Sequence, residues 1–314
     1  MQYLSEFARC NLCEWTCGVN RLNGERGVCR AELPQIAYTM LSRRLASYSV
    51  TMLGCSFRCI YCNAYRVSQY PDAQWFYREY VEPERLAAEA ISRMMPDTDK
   101  ISFTGGEPTI HLPYIEEVVR IIRKKDPDIG VGIATNGFCT QKTLKRVIDI
   151  ATSISYEIKA YDNDVHQLLT GAPSTPVLRN ASVLATDARE SIRVFRTVVI
   201  PGITEHQIAR IAAFIAEIDS SIPYRLIGFR PNFILYYHPG PSKDLMNDLT
   251  EQCRDAGLTD VAWSGYYPTE IPSGSEAEVA AQYLRRAGCN RHPRSCGDCE
   301  LRDRCPACLL EPWG

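Results

Sequence analysis

Three cysteines that lie within eight residues are the strongest sign of chemistry in this sequence. Cys55, Cys59 and Cys62 form the pattern C-x3-C-x2-C in the stretch "GCSFRCIYC". A closed tetrahedral metal site has four ligands, so three thiols leave one coordination position open to another molecule. A cubane iron–sulfur cluster with one free iron fits this spacing, and so does zinc with a fourth ligand from elsewhere. The spacing favours the iron–sulfur cluster.

A second group of cysteines lies near the N-terminus, in the pattern C-x2-C-x3-C-x11-C. Four ligands suit a closed site, and either zinc or a further iron–sulfur cluster would satisfy it. We expect a structural role, because a short segment gains folding energy from a bound metal. The candidate ligands are Cys10, Cys13, Cys17 and Cys29.

The overall composition is that of an ordinary globular protein of 314 residues with a formal net charge of −2. This charge gives no general attraction to nucleic acid or to anionic membranes. No apolar run approaches the roughly 20 residues that a spanning helix needs, and the N-terminus lacks the basic and apolar regions of a signal peptide. We therefore expect a cytoplasmic protein, in which grouped cysteines indicate metal sites and not a disulfide framework.

Strand and helix patterns alternate through the middle of the chain. Amphipathic segments of helical period separate six strand candidates, which predicts parallel βαβ units in an α/β barrel or an open sheet. In either architecture, ligands bind at the C-terminal ends of the strands, where the first cysteine group and several glycine-rich turns fall. The predicted strands are 47–53, 100–104, 129–135, 153–160, 191–200 and 224–229.

The cysteine pattern after the first strand is followed by Gly105-Gly106-Glu107-Pro108 after the second. This pair of motifs resembles the radical S-adenosylmethionine (SAM) superfamily. The resemblance implies a partial (β/α)6 barrel and a [4Fe–4S] cluster whose open iron is chelated by SAM. It further implies reductive cleavage of SAM to methionine and a 5′-deoxyadenosyl radical, which abstracts hydrogen from a substrate. Residues 157–173 and 193–205 are similar to the pyruvate formate-lyase activating enzyme group, so the resemblance covers about 48–235.

Seven residues match positions that bind SAM in this family. The resemblance implies that backbone groups of the glycine-rich turn bind the SAM amino group, that three polar side chains approach its carboxylate or ribose, and that Tyr61 lies near the adenine. A zwitterion needs such acceptors for its ammonium group and a cation for its carboxylate. The turn residues are Gly105, Gly106 and Glu107, and the polar residues are Asn136, Lys159 and Arg196.

Three further positions near the predicted SAM-binding residues bear on the chemistry of the site. Ala134 and Glu157 stand where activating enzymes usually carry Asp, whose carboxylates help to hold a cation beside SAM. Cys139 follows the third predicted strand. It is a candidate hydrogen-atom donor or thiyl intermediate, and a buried packing residue is the alternative.

A third group of cysteines, near the C-terminus, contains the pattern C-x2-C-x5-C-x2-C. It is similar to the auxiliary-cluster segment of the SPASM and twitch radical SAM subfamilies, but one residue shorter. A second [4Fe–4S] cluster is favoured there over zinc. The candidate ligands are Cys296, Cys299, Cys305 and Cys308, with Cys289 as a fifth.

These features predict three regions and three alternative functions. The regions are a cysteine-rich leader (1–46), a radical SAM core (47–235) and a C-terminal extension (236–314) with an auxiliary cluster. We favour an enzyme that abstracts hydrogen from a peptide, protein or small molecule, because simple activating enzymes do not need the C-terminal cysteines. The alternatives are an activating enzyme that installs a glycyl radical on a partner protein, and a non-catalytic iron–sulfur or zinc module. Expected partners are SAM and an electron donor such as flavodoxin or ferredoxin.

Overall fold

A mostly parallel sheet forms the centre of the protein. Its structure comes from a computed structural model, which describes residues 2–42, 46–71, 78–96 and 98–265, together with Ser275. Within these ranges the sheet has nine strands in the order β3-β1-β2-β4-β5-β6-β7-β8-β9. The strands are β1 (Gln35–Ser42), β2 (Ser47–Met52), β3 (Arg78–Tyr80), β4 (Lys100–Gly105), β5 (Gly130–Thr135), β6 (Ser153–Glu157), β7 (Ile192–Val199), β8 (Tyr224–Gly228) and β9 (Val261–Ser264).

Helices connect the parallel strands, and several begin or end at residues that favour a helix terminus. The Thr140 and Ser242 side chains accept hydrogen bonds from backbone N–H groups at the starts of the fourth and eighth helices. Gly171 closes the fifth helix with a φ of 77°, which glycine adopts at little cost. The helices are α1 (Tyr65–Ser68), α2 (Pro83–Arg93), α3 (Leu112–Arg123), α4 (Gln141–Ile150), α5 (Asn163–Thr170), α6 (Thr175–Asp187), α7 (Glu205–Asp219) and α8 (Lys243–Asp255).

The six predicted strands correspond to β2 and to β4 through β8, which are consecutive neighbours in the sheet and pair in parallel. Most residues of β2 and β5 are buried on both faces, as parallel sheets covered by helices require. The predicted α/β class is therefore confirmed. Because all six strands run in the same direction, their C-terminal ends lie along one edge of the sheet.

The sheet extends beyond the predicted core at both ends. β1 lies within the leader and pairs antiparallel with β2, and β3 pairs antiparallel with β1. β9 lies within the predicted C-terminal extension and pairs in parallel with β8. The sheet thus crosses both predicted boundaries, and the division into three regions stays a prediction.

The third cysteine group, 289–308, lies outside the described residues. Among the residues that are described, no helix combines the length and the apolar character needed to cross a membrane.

Candidate active site

A cavity of about 330 Å³ lies at the C-terminal ends of the six parallel strands. The loops that follow β2, β4, β5, β6 and β8 line it, together with two residues of β7. This is the edge at which α/β proteins bind ligands, because loops from several strands converge there. All three cysteines of the first group and all seven predicted SAM-binding residues lie in its wall.

Three thiols enter this cavity from the loop that follows β2, residues 54–62, which we call the cluster loop. Burial raises the pKa of the Cys55 thiol well above its ordinary value, raises that of Cys59 to about 12, and raises that of Cys62. These thiols are therefore protonated at neutral pH without a metal, and metal binding would release their protons. The backbone N–H of Phe57 and the Asn136 amide both donate hydrogen bonds to Cys55 Sγ, at 3.3 and 3.6 Å.

The three thiols of the cluster loop fit a cubane with one open iron. All three line the same cavity, and a cubane binds each of its cysteines through a different iron. Cys55, Cys59 and Cys62 would hold such a cluster through three irons.

The glycine-rich turn after β4 packs directly against the cluster loop. A Cβ atom on Gly106 would lie 1.8 Å from the carbonyl oxygen of Gly54, and Gly105 has a φ of +120°. The backbone N–H groups of Gly106 and Glu107 donate to the carbonyl oxygens of Met52 and Gly54, at 3.0 and 2.9 Å. Only glycine permits this approach, so the turn and the cluster loop form one continuous wall.

Glu107 fixes this turn to the neighbouring turn after β5. Its buried carboxyl group accepts hydrogen bonds from the Thr109 hydroxyl at 2.8 Å, the Thr135 hydroxyl at 2.7 Å and the Asn136 N–H at 2.7 Å. Burial raises the pKa of Glu107, and these donors oppose that shift because they stabilise the carboxylate. Asn136 is held in place beside Cys55 as a result.

Three charged side chains, from β6, the loop that follows it and β7, form a second part of the wall. Glu157 contacts Lys159, and its Oε1 lies 2.9 Å from Arg196 Nη2. Burial opposes ionisation of Glu157, but Lys159 and Arg196 outweigh it and lower its pKa to about 2. Glu157 therefore engages two cations of the protein, at a position where activating enzymes usually carry Asp.

One polar atom of Tyr61 and one of Arg196 lack a hydrogen-bond partner within the described residues. Tyr61 Oη and Arg196 Nε are both buried and make no hydrogen bond there. Lys159 Nζ lies 6.0 Å from the centre of the Tyr61 ring, so the two groups adjoin each other. Buried polar groups are nearly always paired, so the unpaired Tyr61 Oη and Arg196 Nε indicate a polar ligand in this cavity.

A model of the radical SAM superfamily matches residues 49–215, which is more than half of the chain. The chain belongs to the radical SAM superfamily. The pyruvate formate-lyase-activating enzyme of Staphylococcus aureus (strain USA300) is 25% identical over 201 residues, which cover 58% of this chain and 75% of that protein. Both parts of the predicted resemblance are thereby confirmed. The superfamily implies a [4Fe–4S] cluster and SAM.

Two solved structures show a similar fold. A radical SAM methyltransferase from Sphaerobacter thermophilus is 16% identical, with a TM-score of 0.54, over 74% of this chain and 70% of that chain. Streptococcus suis SuiB bound to precursor peptide SuiA is 17% identical, with a TM-score of 0.51, over 68% of this chain and 47% of that chain. At these identities the likeness concerns the fold alone.

Asn232 is a residue of the radical SAM cavity that sequence reasoning missed. It follows β8 and lines the cavity, and its Oδ1 is buried without a hydrogen-bond partner among the described residues. Its Nδ2 donates to the carbonyl oxygen of Arg230 at 2.6 Å, which fixes the amide. The signal was present in the sequence, because the sixth predicted strand ends shortly before it, at 229.

Cys139 lies apart from the radical SAM cavity. It is buried, and it is absent from the described residues that line the cavity. Its backbone forms an isolated antiparallel β-bridge with the backbone of Cys13 in the leader. The Asn180 amide donates to its carbonyl oxygen at 2.7 Å. This position gives no support to contact with a substrate, and a catalytic role for Cys139 stays an untested prediction.

The four leader cysteines lie together beside the cluster loop. Cys10, Cys13 and Cys29 are buried, whereas Cys17 is exposed. Burial raises the pKa of the Cys13 thiol to about 12, and the nearby thiols of the other three raise it further. The leader thus brings its predicted ligands to one place, and their metal stays a prediction.

Proposed function

We propose that this protein is an oxygen-sensitive radical SAM enzyme that reductively cleaves SAM and uses the 5′-deoxyadenosyl radical to abstract hydrogen from a substrate. The observation that carries this proposal is the shared cavity, where Cys55, Cys59 and Cys62 face the unpartnered polar atoms of Tyr61 and Arg196. When bound, the cluster supplies the single electron that breaks a carbon–sulfur bond of SAM. The chain's own residues bind SAM, orient it and keep water away.

The charged wall is suited to the carboxylate of SAM. Lys159 and Arg196 carry two positive charges against the single negative charge of Glu157, so one unit of positive charge remains for an anionic group. Tyr61 presents an aromatic ring beside Lys159, which suits the adenine. Asn136, Gly105, Gly106 and Glu107 complete the set of proposed SAM-binding residues.

For the substrate, we favour a peptide, a protein side chain or a small molecule that is modified directly. Tyr65 stacks on Phe233 with ring centres 4.8 Å apart, next to the cavity residues Ala64 and Asn232, and Tyr237 nearby in the chain is 95% exposed. Aromatic side chains bind apolar parts of peptides well. SuiB, a protein of similar fold, was crystallised bound to a precursor peptide.

A second candidate is the activation of a glycyl radical enzyme. The 25% identity with the Staphylococcus aureus pyruvate formate-lyase-activating enzyme favours it. Under this alternative, incubation with the partner protein and SAM would give a protein-based glycyl radical signal in electron paramagnetic resonance (EPR). Direct modification would instead give a changed mass in an isolated peptide or small molecule.

The C-terminal cysteines supply a further part of this proposal. We expect Cys296, Cys299, Cys305 and Cys308, with Cys289, to bind an auxiliary [4Fe–4S] cluster that serves the substrate. Cys299→Ala should then preserve SAM cleavage but reduce substrate turnover. If the variant simply unfolds, the segment is structural.

The proposed reaction is tested with Cys59→Ala. This change removes one of three cluster ligands, so we expect that no 5′-deoxyadenosine forms from SAM when dithionite is the reductant. Chromatography of the products measures 5′-deoxyadenosine. Cys253→Ala is the matched control, because Cys253 is a buried cysteine of α8 outside the cavity. If Cys59→Ala still forms 5′-deoxyadenosine, the radical SAM activity is not located at this loop. If the wild type forms none, the protein is a binding module.

A further inference from the structure

The leader cysteines converge on one point because two short chain reversals bring them together. The Cys10 N–H donates to the Val19 carbonyl oxygen and the Gly18 N–H donates to the Cys10 carbonyl oxygen, both at 3.0 Å. A Cβ atom on Gly27 would lie 2.5 Å from Cys17 Sγ, so glycine is required there for the Cys17 thiol to lie against the turn that leads to Cys29.

A buried guanidinium group lies beside these thiols. Arg21 is 1% exposed, and its Nη1 donates to Cys10 Sγ at 3.8 Å. Its other contacts in the described part of the chain are the Glu32 and Ile110 carbonyl oxygens, the His111 ring and the Phe7 ring, and none of them is a carboxylate. A buried positive charge needs a negative partner, and thiolates bound to a metal supply one.

Four thiols suit either zinc or a [4Fe–4S] cluster, in which each thiolate binds a different iron. Zinc is not redox-active, whereas a cluster can exchange single electrons with a second cluster close by. The surroundings of the leader thiols therefore bear on which group they hold.

The leader site also adjoins the core site through the backbone. The Cys55 N–H donates to the Cys29 carbonyl oxygen at 3.3 Å, and a Cβ atom on Gly54 would lie 2.9 Å from the same oxygen. A path of covalent bonds and one hydrogen bond therefore joins the Cys29 and Cys55 sulfurs. At the other side of the leader group, Cys17 is exposed at the protein surface.

We propose that Cys10, Cys13, Cys17 and Cys29 bind a second iron–sulfur cluster that relays electrons to the core cluster. A low-potential one-electron donor protein would dock near Cys17 and reduce the leader cluster by one electron. That electron would pass through Cys29 and Cys55 to the core cluster, which uses one electron for each SAM cleaved. This inference rests on the proposed function of the core site.

The test of the cluster uses full-length, anaerobically purified Cys17→Ser and Cys29→Ser variants, with Cys253→Ser as the control. Each leader variant should lose about four irons and four sulfides per chain relative to the wild type. The core EPR signal, and its change when SAM is added, should remain, which also shows that the protein is folded. Because Cys17 is exposed, its variant decides the question if Cys29→Ser does not fold.

Two results would overturn the second cluster. Loss of one zinc per chain with unchanged iron would mean a closed zinc site, and no loss of metal would mean that the leader thiols bind none. Failure of the core proposal gives a different result, because Cys59→Ala would then keep all its iron and the wild-type EPR signal would not respond to SAM.

The relay is tested by comparing two reductants. Cys17→Ser should lose the SAM cleavage that reduced flavodoxin supports, yet keep the cleavage that dithionite supports, because a small reductant can reach the core cluster through the cavity. Retention of the flavodoxin-supported rate in a variant that has lost the leader iron would overturn the relay.

Discussion

Single residues of the cavity differ in whether their hydrogen-bonding groups are matched within the protein. Glu107 is fully matched, because four donors from Thr109, Thr135 and Asn136 meet its two oxygens. Arg196 is only partly matched, because Nη2 pairs with Glu157 while Nε has no partner in the described structure. Glu107 therefore holds the site together, whereas Arg196 is available to a ligand, and substitutions of the two should have different effects.

Glu107→Gln should destabilise the protein by about 1–3 kcal/mol, because the amide places a donor against donors. Urea unfolding of the anaerobic protein measures this change. Glu217→Gln is the control, since Glu217 lies exposed on α7, and it should leave the free energy of unfolding unchanged. Equal stability of the Glu107 and Glu217 variants would contradict the bridging role of Glu107.

Arg196→Lys should leave the fold intact and weaken SAM binding by about tenfold to a hundredfold. Lysine keeps the charge but cannot supply both Nη2 and Nε, and a hydrogen bond to a charged group contributes about 1.5–3 kcal/mol. Isothermal titration with SAM measures the dissociation constant. Arg193→Lys, an exposed position on the same strand, is the matched control. An unchanged affinity in the Arg196 variant would place SAM elsewhere.

Among the secondary-structure elements, those that repeat a simple pattern can be predicted from sequence. β4 alternates polar and apolar residues, β5 is a short apolar run, and α3 carries its apolar residues at helical spacing. β1 escapes prediction because most of its residues are half-buried, which leaves no alternation of apolar and polar residues. β1 lies between β2 and β3 in the sheet, and its pairing with β3 joins residues that are distant in the chain.

Residues of the candidate site could likewise be predicted from sequence where they belong to a recognisable pattern. The ten residues assigned to the core cluster and SAM could be predicted because they match family motifs, nine of them near the ends of predicted strands and Arg196 within one. Asn232 belongs to no motif, and its role depends on where β8 delivers the chain. The pairing of Cys139 with Cys13 could not be predicted either, because it depends on how the leader folds back onto the turn after β5.

The close packing of the turn after β4 on the cluster loop makes a prediction about these two elements. Gly106→Ala should destabilise the protein by at least about 3 kcal/mol, because its Cβ would overlap the Gly54 carbonyl group. That group belongs to the backbone, so it cannot move aside as the end of a side chain can. Gly202→Ala is the control that distinguishes the effect of atomic overlap from the effect of backbone strain. Gly202 has a φ of +69° and open space around it, so alanine there should cost only about 1–2 kcal/mol.

Thermal unfolding and iron content of the two glycine variants measure the effect. Gly106→Ala should also lose core iron, because the overlap displaces the loop that carries Cys55. If Gly106→Ala retains its iron and is no less stable than Gly202→Ala, the turn does not support the cluster loop.

At the scale of the whole molecule, the leader and the core are joined by specific polar contacts. Trp15 Nε1 donates to the Ser56 carbonyl oxygen at 2.8 Å, next to Cys55. Glu14 pairs with Arg179 of α6 at 2.7 Å. These contacts reach both the cluster loop and a helix on the sheet, so they fix the position of the leader against the core.

His111 lies where the leader, the turn after β4 and the cluster loop meet, and it links folding of the whole molecule to pH. Its Nε2–H donates to the Leu53 carbonyl oxygen at 2.7 Å, and its Nδ1 accepts from Arg21 Nη2 at 3.0 Å. Burial, with Arg21 as a second cause, lowers the pKa of His111 from 6.5 to about 3. The folded protein therefore keeps this ring neutral at pH values where the unfolded chain binds a proton.

The free energy of unfolding should accordingly fall as the pH drops through 6.5, and His111 should contribute almost no pH dependence above about pH 7.5. Between pH 7.5 and 5.5 its contribution should be about 1.4 kcal/mol, since only the unfolded state titrates in this interval. Urea unfolding of the anaerobic protein at both pH values measures the change. His111→Gln should be less dependent on pH than the wild type by this amount, because glutamine does not titrate. His206→Gln, at an exposed position on α7, should keep the wild-type dependence, and an identical dependence in all three proteins would show that His111 is not held neutral between leader and core.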